Sequence, residues 1–178
     1  MNKTTKTILI LAGGLLLVFL AGCKGGGTSV VTDSNLVTQA ASRIADFDLP
    51  PGYSAEFSAS LMGYTAASFR PDDGNSHLYL IQSEKDADGE KLAQMLEELV
   101  PGASDPQTRM TVIETRPATV RGQEVTVVIS EGNNSDGESY RQATVAFPGK
   151  GGPALLVLSE PVERWGQESV DAFIASIH

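Results

Sequence analysis

Few side chains in this sequence could do chemistry at neutral pH. It holds two histidines, His77 and His178, and one cysteine, Cys23. Imidazole is the usual general base in this pH range. His178 is the last residue, where a chain is expected to fray. His77 follows Asp72-Asp73-Gly74, so a histidine–carboxylate pair is open to it. The plainer reading is a polar residue at the start of a strand. With one thiol, neither a zinc site built on two or four cysteines nor an intramolecular disulfide can form. The 22 acidic residues include twelve glutamates, so a carboxylate-pair glycosidase stays open, because sequence alone gives no distances.

Three partial motifs match by letter and fail by context. Glu84-Lys85-Asp86-Ala87-Asp88-Gly89 looks like half a calcium loop, but its twelfth position is Met95, where a bidentate carboxylate is required. Asp86, Asp88 and Glu90 read better as negative charge at a helix N-terminus. Gly52-Tyr53-Ser54-Ala55 begins like a nucleophile elbow, yet Glu56 takes the place of the closing glycine and a strand follows. Gly149-Lys150-Gly151-Gly152-Pro153-Ala154 matches a dinucleotide fingerprint but precedes a strand, so it reads as a hairpin turn. Trp165 and Val162 form either a small exposed apolar patch or, the better fit, core packing.

Composition removes further classes. The chain has 178 residues, 41% hydrophobic and 20% charged, which is too apolar for a disordered chain and fits one domain. A net charge of −9 leaves no basic footprint for nucleic acid.

The first two dozen residues read as an address. Met1–Lys6 carries two lysines and no acid, and Ile8–Leu20 is almost wholly apolar. Thirteen helical residues span roughly 20 Å, short of a hydrocarbon core of ~30 Å. Gly13 and Gly14 weaken such a helix further. A secretory signal therefore fits better than a permanent membrane span.

The four residues Leu20-Ala21-Gly22-Cys23 resemble the lipobox of bacterial lipoprotein signal peptides at every position. The resemblance implies cleavage after Gly22 and a diacylglycerol on the Cys23 sulfur, with an acyl chain on its new N-terminus. No other cofactor is expected. The physics of such an anchor is sound: each buried CH₂ contributes about 0.8 kcal/mol, and two or three chains hold far better than one. In diderm bacteria Lys24, not being aspartate, would lean the sorting toward the outer membrane; otherwise the anchor lies in the outer face of the cell membrane.

Removal of residues 1–22 leaves 156 residues, and because two lysines and no acid depart, the charge falls from −9 to −11. That acidity should repel anionic headgroups, so the folded part is expected to stand off the membrane. Residues 23–33, with Gly25-Gly26-Gly27, read as a flexible tether. Ten residues from Lys24 give an r.m.s. reach of about 17 Å.

Residues 34–178 read as a single α+β domain. Leu36, Val37, Ala40, Ala41, Ile44 and Ala45 sit at helical spacing, with Asp33 or Ser34 as cap. The period becomes two at Tyr53–Leu61, and Tyr64–Phe69 reads as its partner. His77–Ser83 is apolar on both faces, as a central strand should be. Leu92, Met95, Leu96, Leu99 and Val100 form a helical stripe. Strands follow at Thr108–Thr115, Val120–Glu131 with a kink at Arg121-Gly122, Glu138–Phe147 and Ala154–Leu158. A helix near Gln167–Ile177 closes the chain.

Hairpins in series imply an antiparallel sheet with helices to one side. This order resembles the PsbP-like domains, including exported bacterial lipoproteins related to DcrB. The likeness rests on the hairpins Tyr53–Phe69 and Val125–Phe147, the helix between them, and ALLVL leading into VDAFIASI. It implies an antiparallel sheet flanked by helices, and a binding or assembly module rather than an enzyme. The expectation is a lipid-anchored, extracytoplasmic envelope module, non-catalytic. Its partners would be the membrane, through the anchor, and an unidentified envelope protein or ligand, with no nucleic acid and no metal. The alternatives are an envelope hydrolase using a carboxylate pair and a carrier of a small apolar ligand.

Overall fold

The computed structural model describes residues 29–72, 74–100, 110–133 and 137–178. Leu20, Ala21, Gly22 and Cys23 lie outside the described residues. Eight strands form one antiparallel sheet in the order β1-β2-β3-β4-β8-β7-β6-β5. They are β1 (Ser29–Val31), β2 (Tyr53–Leu61), β3 (Tyr64–Pro71), β4 (His77–Ser83), β5 (Thr111–Val120), β6 (Gln123–Asn133), β7 (Ser139–Pro148) and β8 (Pro153–Pro161). Among the described residues three α-helices accompany them, α1 (Ser34–Ile44), α2 (Gly89–Leu99) and α3 (Gln167–Ala175), with a 3₁₀ turn at Val162–Arg164. Two meanders, one on each side of α2 in the chain, are thus joined where β4 pairs with β8.

The centre of the sheet follows from composition. HLYLIQS and ALLVL are apolar on both faces, and they pair from His77↔Ser159 to Gln82↔Ala154. Leu78, Leu80, Leu156 and Leu158 face one core; Tyr79, Ile81, Leu155 and Val157 face the other. Val37, Ala41 and Ile44 of α1, with Val170, Phe173 and Ile174 of α3, close the first core. Leu92, Met95 and Leu96 of α2 close the second. The helices therefore lie on both faces of the sheet, not to one side. Central strands that are apolar on both faces require cover on both.

Local signals account for the element ends. Asp33 Oδ1 accepts from the backbone N–H groups of Asn35 and Leu36, capping α1. Asp88 Oδ1 accepts from Lys91 N at 2.8 Å, capping α2. The acidic run before α2 is thus a helix start.

Four expectations are corrected. Ser29–Val31, assigned to the flexible tether, pair with Ser58–Ser60 of β2 as an edge strand. Arg121-Gly122 is not a kink but the two-residue turn of the β5–β6 hairpin, flanked by Val120↔Gln123. Both turn residues have positive φ, +52° and +75°. Leu36, expected in the core, is 49% exposed, because it lies on the flank of α1, off the buried stripe of Val37, Ala41 and Ile44. His178 is held rather than frayed. Its N–H donates to Asp46 O at 2.9 Å, and Asp46 N–H donates back to His178 O at 3.1 Å.

The sheet has two dissimilar ends. The turns Met62-Gly63 and Arg121-Gly122 and the bend Gly149–Gly152 share one end; the end of β3 and start of β4, and the end of β6 and start of β7, lie at the other. At the first end the bend wraps over Gln82, whose Oε1 accepts from Gly151 N at 2.8 Å. Gly152 has φ +149°, and a Cβ there would lie 2.1 Å from Ser83 O. Gly152→Ala is expected to lose about 1–3 kcal/mol of stability from backbone strain, with the clash in addition. Gly122→Ala, with open space around it, should lose less. Urea unfolding of the two variants compares them.

Candidate functional site

Three places gather polar or concave features. The first is an open groove of about 1080 Å³ between the N-terminal turn of α2 and the β6–β7 surface. Small residues create it. Gly89 lets α2 approach β7 so closely that a Cβ there would meet Ala146 Cβ at 3.4 Å. Leu92, Ala146, Pro148 and Pro153 supply apolar lining, while Asp86, Asp88 and Glu124 set an acidic rim opposed by Lys91. The Asp88 carboxylate is already engaged with the helix N-terminus. Such a groove could take an apolar or cationic group and would disfavour an anion.

The second place surrounds His77. Its ring is half-buried and stacks on Tyr79 with centroids 5.6 Å apart. Its Nδ1 is buried with no hydrogen-bond partner. Burial holds the imidazole below its ordinary pKa; the Glu56 carboxylate opposes this and Arg70 adds to it. Burial, together with Glu56 and Glu97, pushes the Tyr79 phenol up to about 12. Glu56 sits at a bulge between Ala55 and Phe57. It accepts from Ser68 Oγ at 2.7 Å and pairs with Arg70 Nε at 3.3 Å. The carboxylate acting on His77 is therefore Glu56 across the sheet, not the Asp72 turn. Ser68 is wholly buried, so its hydroxyl serves Glu56 and is closed to a substrate.

The third place is a row across β6, β7 and β8. Glu131 is in register with Arg141, and Arg141 with Glu160. Arg141 Nε pairs with Glu131 Oε2 at 2.7 Å. Tyr53 donates its hydroxyl proton to Glu160 Oε1 at 2.9 Å. Burial raises the Glu160 pKa, against the Tyr53 hydrogen bond and the Arg164 charge. Two strand spacings place the carboxylate-bearing residues about 10 Å apart. An inverting glycosidase holds its two carboxyl groups about 6.5–9.5 Å apart with water between them, whereas here Arg141 stands between the two glutamates in register.

The remaining residues singled out by sequence fall into structural roles. Ser54 lies on β2, its hydroxyl 3.4 Å from Arg70 O. The Gly149–Ala154 segment is the β7–β8 bend and the start of β8. Trp165 packs against the first core, and its indole N–H donates to Gln167 at 3.2 Å. Among the described residues no group of three or more His, Cys, Asp or Glu is placed to hold a metal ion. Sequence reading missed the groove and the Glu131–Arg141–Glu160 row. The row has a faint signal in alternating polar positions, but cross-strand register is not readable from one strand. No helix among the described residues is long and apolar enough to cross a membrane.

Comparison with known proteins returns no matching family and no matching curated protein. Among solved structures, the chain is similar to LpqN, described as involved in cell envelope biogenesis of Mycobacterium tuberculosis. That match covers 84% of this chain and 82% of LpqN, at 13% identity and a TM-score of 0.35. A likeness this loose carries neither fold detail nor function across.

The low imidazole pKa has a thermodynamic consequence. An unfolded histidine protonates near pH 6.5, whereas folded His77 resists until lower pH. The unfolded state then binds more protons, so His77 contributes stability above about pH 6.5 that is lost as pH falls through its folded-state pKa. His77→Gln should abolish that part of the acid sensitivity, read from urea midpoints at pH 7.5 and 5.5.

Proposed function

We propose that this protein is a lipid-anchored, extracytoplasmic module of the bacterial envelope that binds another envelope component and performs no reaction of its own. One observation carries the reading: a complete Leu20-Ala21-Gly22-Cys23 tetrad closes an apolar run too short to span a bilayer. The first strand begins at Ser29, with only five residues between it and the anchor position. The free tether is then Lys24–Thr28, with an r.m.s. reach of about 12 Å rather than 17 Å. The groove beside α2 is the binding surface in this reading.

A second reading, a carrier of a small apolar ligand, draws on the apolar lining of the same groove. Ala146 is exposed on its floor, so Ala146→Trp should fill the groove without disturbing the core. A carrier would then lose uptake of the neutral apolar fluorophore N-phenyl-1-naphthylamine, which the parent protein should show.

The anchor has a direct test. Mass spectrometry of native protein should find Cys23 N-terminal and acylated. Cys23→Ser should leave the precursor uncleaved or release the protein from membranes. A normally processed, membrane-bound Cys23→Ser protein would overturn the anchor.

A further inference from the structure

The turn Met62-Gly63 is odd on local grounds. Both residues have positive φ, +52° and +87°, as a two-residue turn of the primed type requires. Asparagine, aspartate or glycine suits the first position; a bulky apolar residue there is uncommon. Met62 gains nothing from the fold in return, since its side chain is 69% exposed. The strain and the exposure both go unrewarded within the domain. Inference from such an outlier runs to function.

Its surroundings supply the occupant. Ser29 of β1 pairs with Ser60, two residues before Met62, so the chain comes into the sheet beside this turn. Val30, in the same edge strand, is 62% exposed. From Cys23 to Ser29 are six residue steps, which at full extension reach roughly 20 Å. The opposite end of the sheet is a strand length further away.

The connecting turns are polarised in the same sense. At the Met62 end they carry Arg121 and Lys150 and no acid; at the other end, among the described residues, lie Asp72 and Glu138. Arg121 and Lys150 also make local contacts, to Pro148 O and to Asp46. The segment leading into α2 places Glu84, Asp86 and Asp88 at the Met62 end too, with Lys85 among them. That end is therefore mixed in charge rather than basic, and its distinguishing feature is the pair of exposed apolar side chains beside the tether.

We infer that the Met62-Gly63 turn and the adjoining β1 strand are the part of the domain that rests on the lipid surface, with the Met62 side chain in the interfacial layer. The occupant is a phospholipid headgroup layer. The tether delivers this corner to it, and burial of methionine's apolar surface holds it there. The net charge of the whole domain conceals this corner. The inference rests on the lipid-anchor reading.

Because an acylated Cys23 has no free thiol, an engineered cysteine can be labelled alone. Full-length lipidated protein carrying Met62→Cys, labelled with the environment-sensitive fluorophore NBD, is reconstituted into phosphatidylethanolamine–phosphatidylglycerol vesicles. The emission should shift to shorter wavelength and be quenched by spin-labelled lipid, whereas the Asp72→Cys label should report water. Val30→Cys, on the exposed edge strand, repeats the measurement without touching the turn. Acylated, vesicle-bound protein whose labels at 62 and 30 report water as fully as the label at 72 would overturn this inference and leave the anchor standing. Cys23 found unacylated by mass spectrometry would remove both.

Discussion

The pairing of β4 with β8 holds the molecule together. Each meander could form hairpins by local contacts, yet neither can bury its apolar strand alone. Leu78, Leu80, Leu156 and Leu158 need α1 and α3 above them, and Ile81, Leu155 and Val157 need α2 below. Burying a side chain of this kind contributes about 1.5–3 kcal/mol. Because the domain has no disulfide, this two-sided core is its main source of stability. The contact is distant in sequence, so folding must close long loops before it is rewarded. Residues 84–152 intervene, and the glycine-rich bend 149–152 must seat over Gln82 for β8 to pair in register.

Much of this order was readable from the residues. Period-two alternation marked Tyr53–Leu61, and a helical stripe marked Leu92–Val100, because in each case one face is buried and the other solvated. His77–Ser83 and Ala154–Leu158 were readable as central strands for the opposite reason, being apolar throughout. What sequence could not supply was anything set by pairing between strands. The β1 strand is three residues long and carries no alternation of its own; β2 recruits it. The Arg121-Gly122 turn was hidden because arginine is not a usual residue at positive φ, so an interrupted strand was the natural reading. The placement of α2 opposite α1 and α3 follows only once β4 and β8 are neighbours.

The candidate sites divide in the same way. The helix-start role of Asp88 was legible, because a cap acts within three residues. The partner of His77 was not. Local sequence offered Asp72 and Asp73, but a bulge in β2 directs Glu56 across the sheet instead. Glu160 likewise meets Tyr53 from the other meander, 107 residues away. In both clusters the polar atoms are largely absorbed by one another, as buried polar groups generally are. Ser68 serves Glu56, and Arg141 serves Glu131. These networks account for their residues structurally; in the groove beside α2, Asp88 caps the helix and Lys91 donates to Gln94, while Ala146 on the floor stays exposed.

The groove and the Met62 corner share one end of the sheet, and their chemistry differs. The corner exposes Met62 and Val30 beside Glu84, whose N–H donates to Gly63 O at 2.9 Å, whereas the rim of the groove carries Asp86, Asp88 and Glu124 against Lys91. Above an anionic headgroup layer the corner is drawn in and the rim is pushed away, the repulsion reaching over about the Debye length of 8–10 Å. In the proposed anchored state the two effects would tilt the domain about the β2–β3 turn rather than lay it flat. Such a tilt would keep the groove open to solvent on an anchored protein. A ligand that reached it there would be met by apolar lining and acidic rim at once, a combination that favours a cationic group on an apolar body over a free anion.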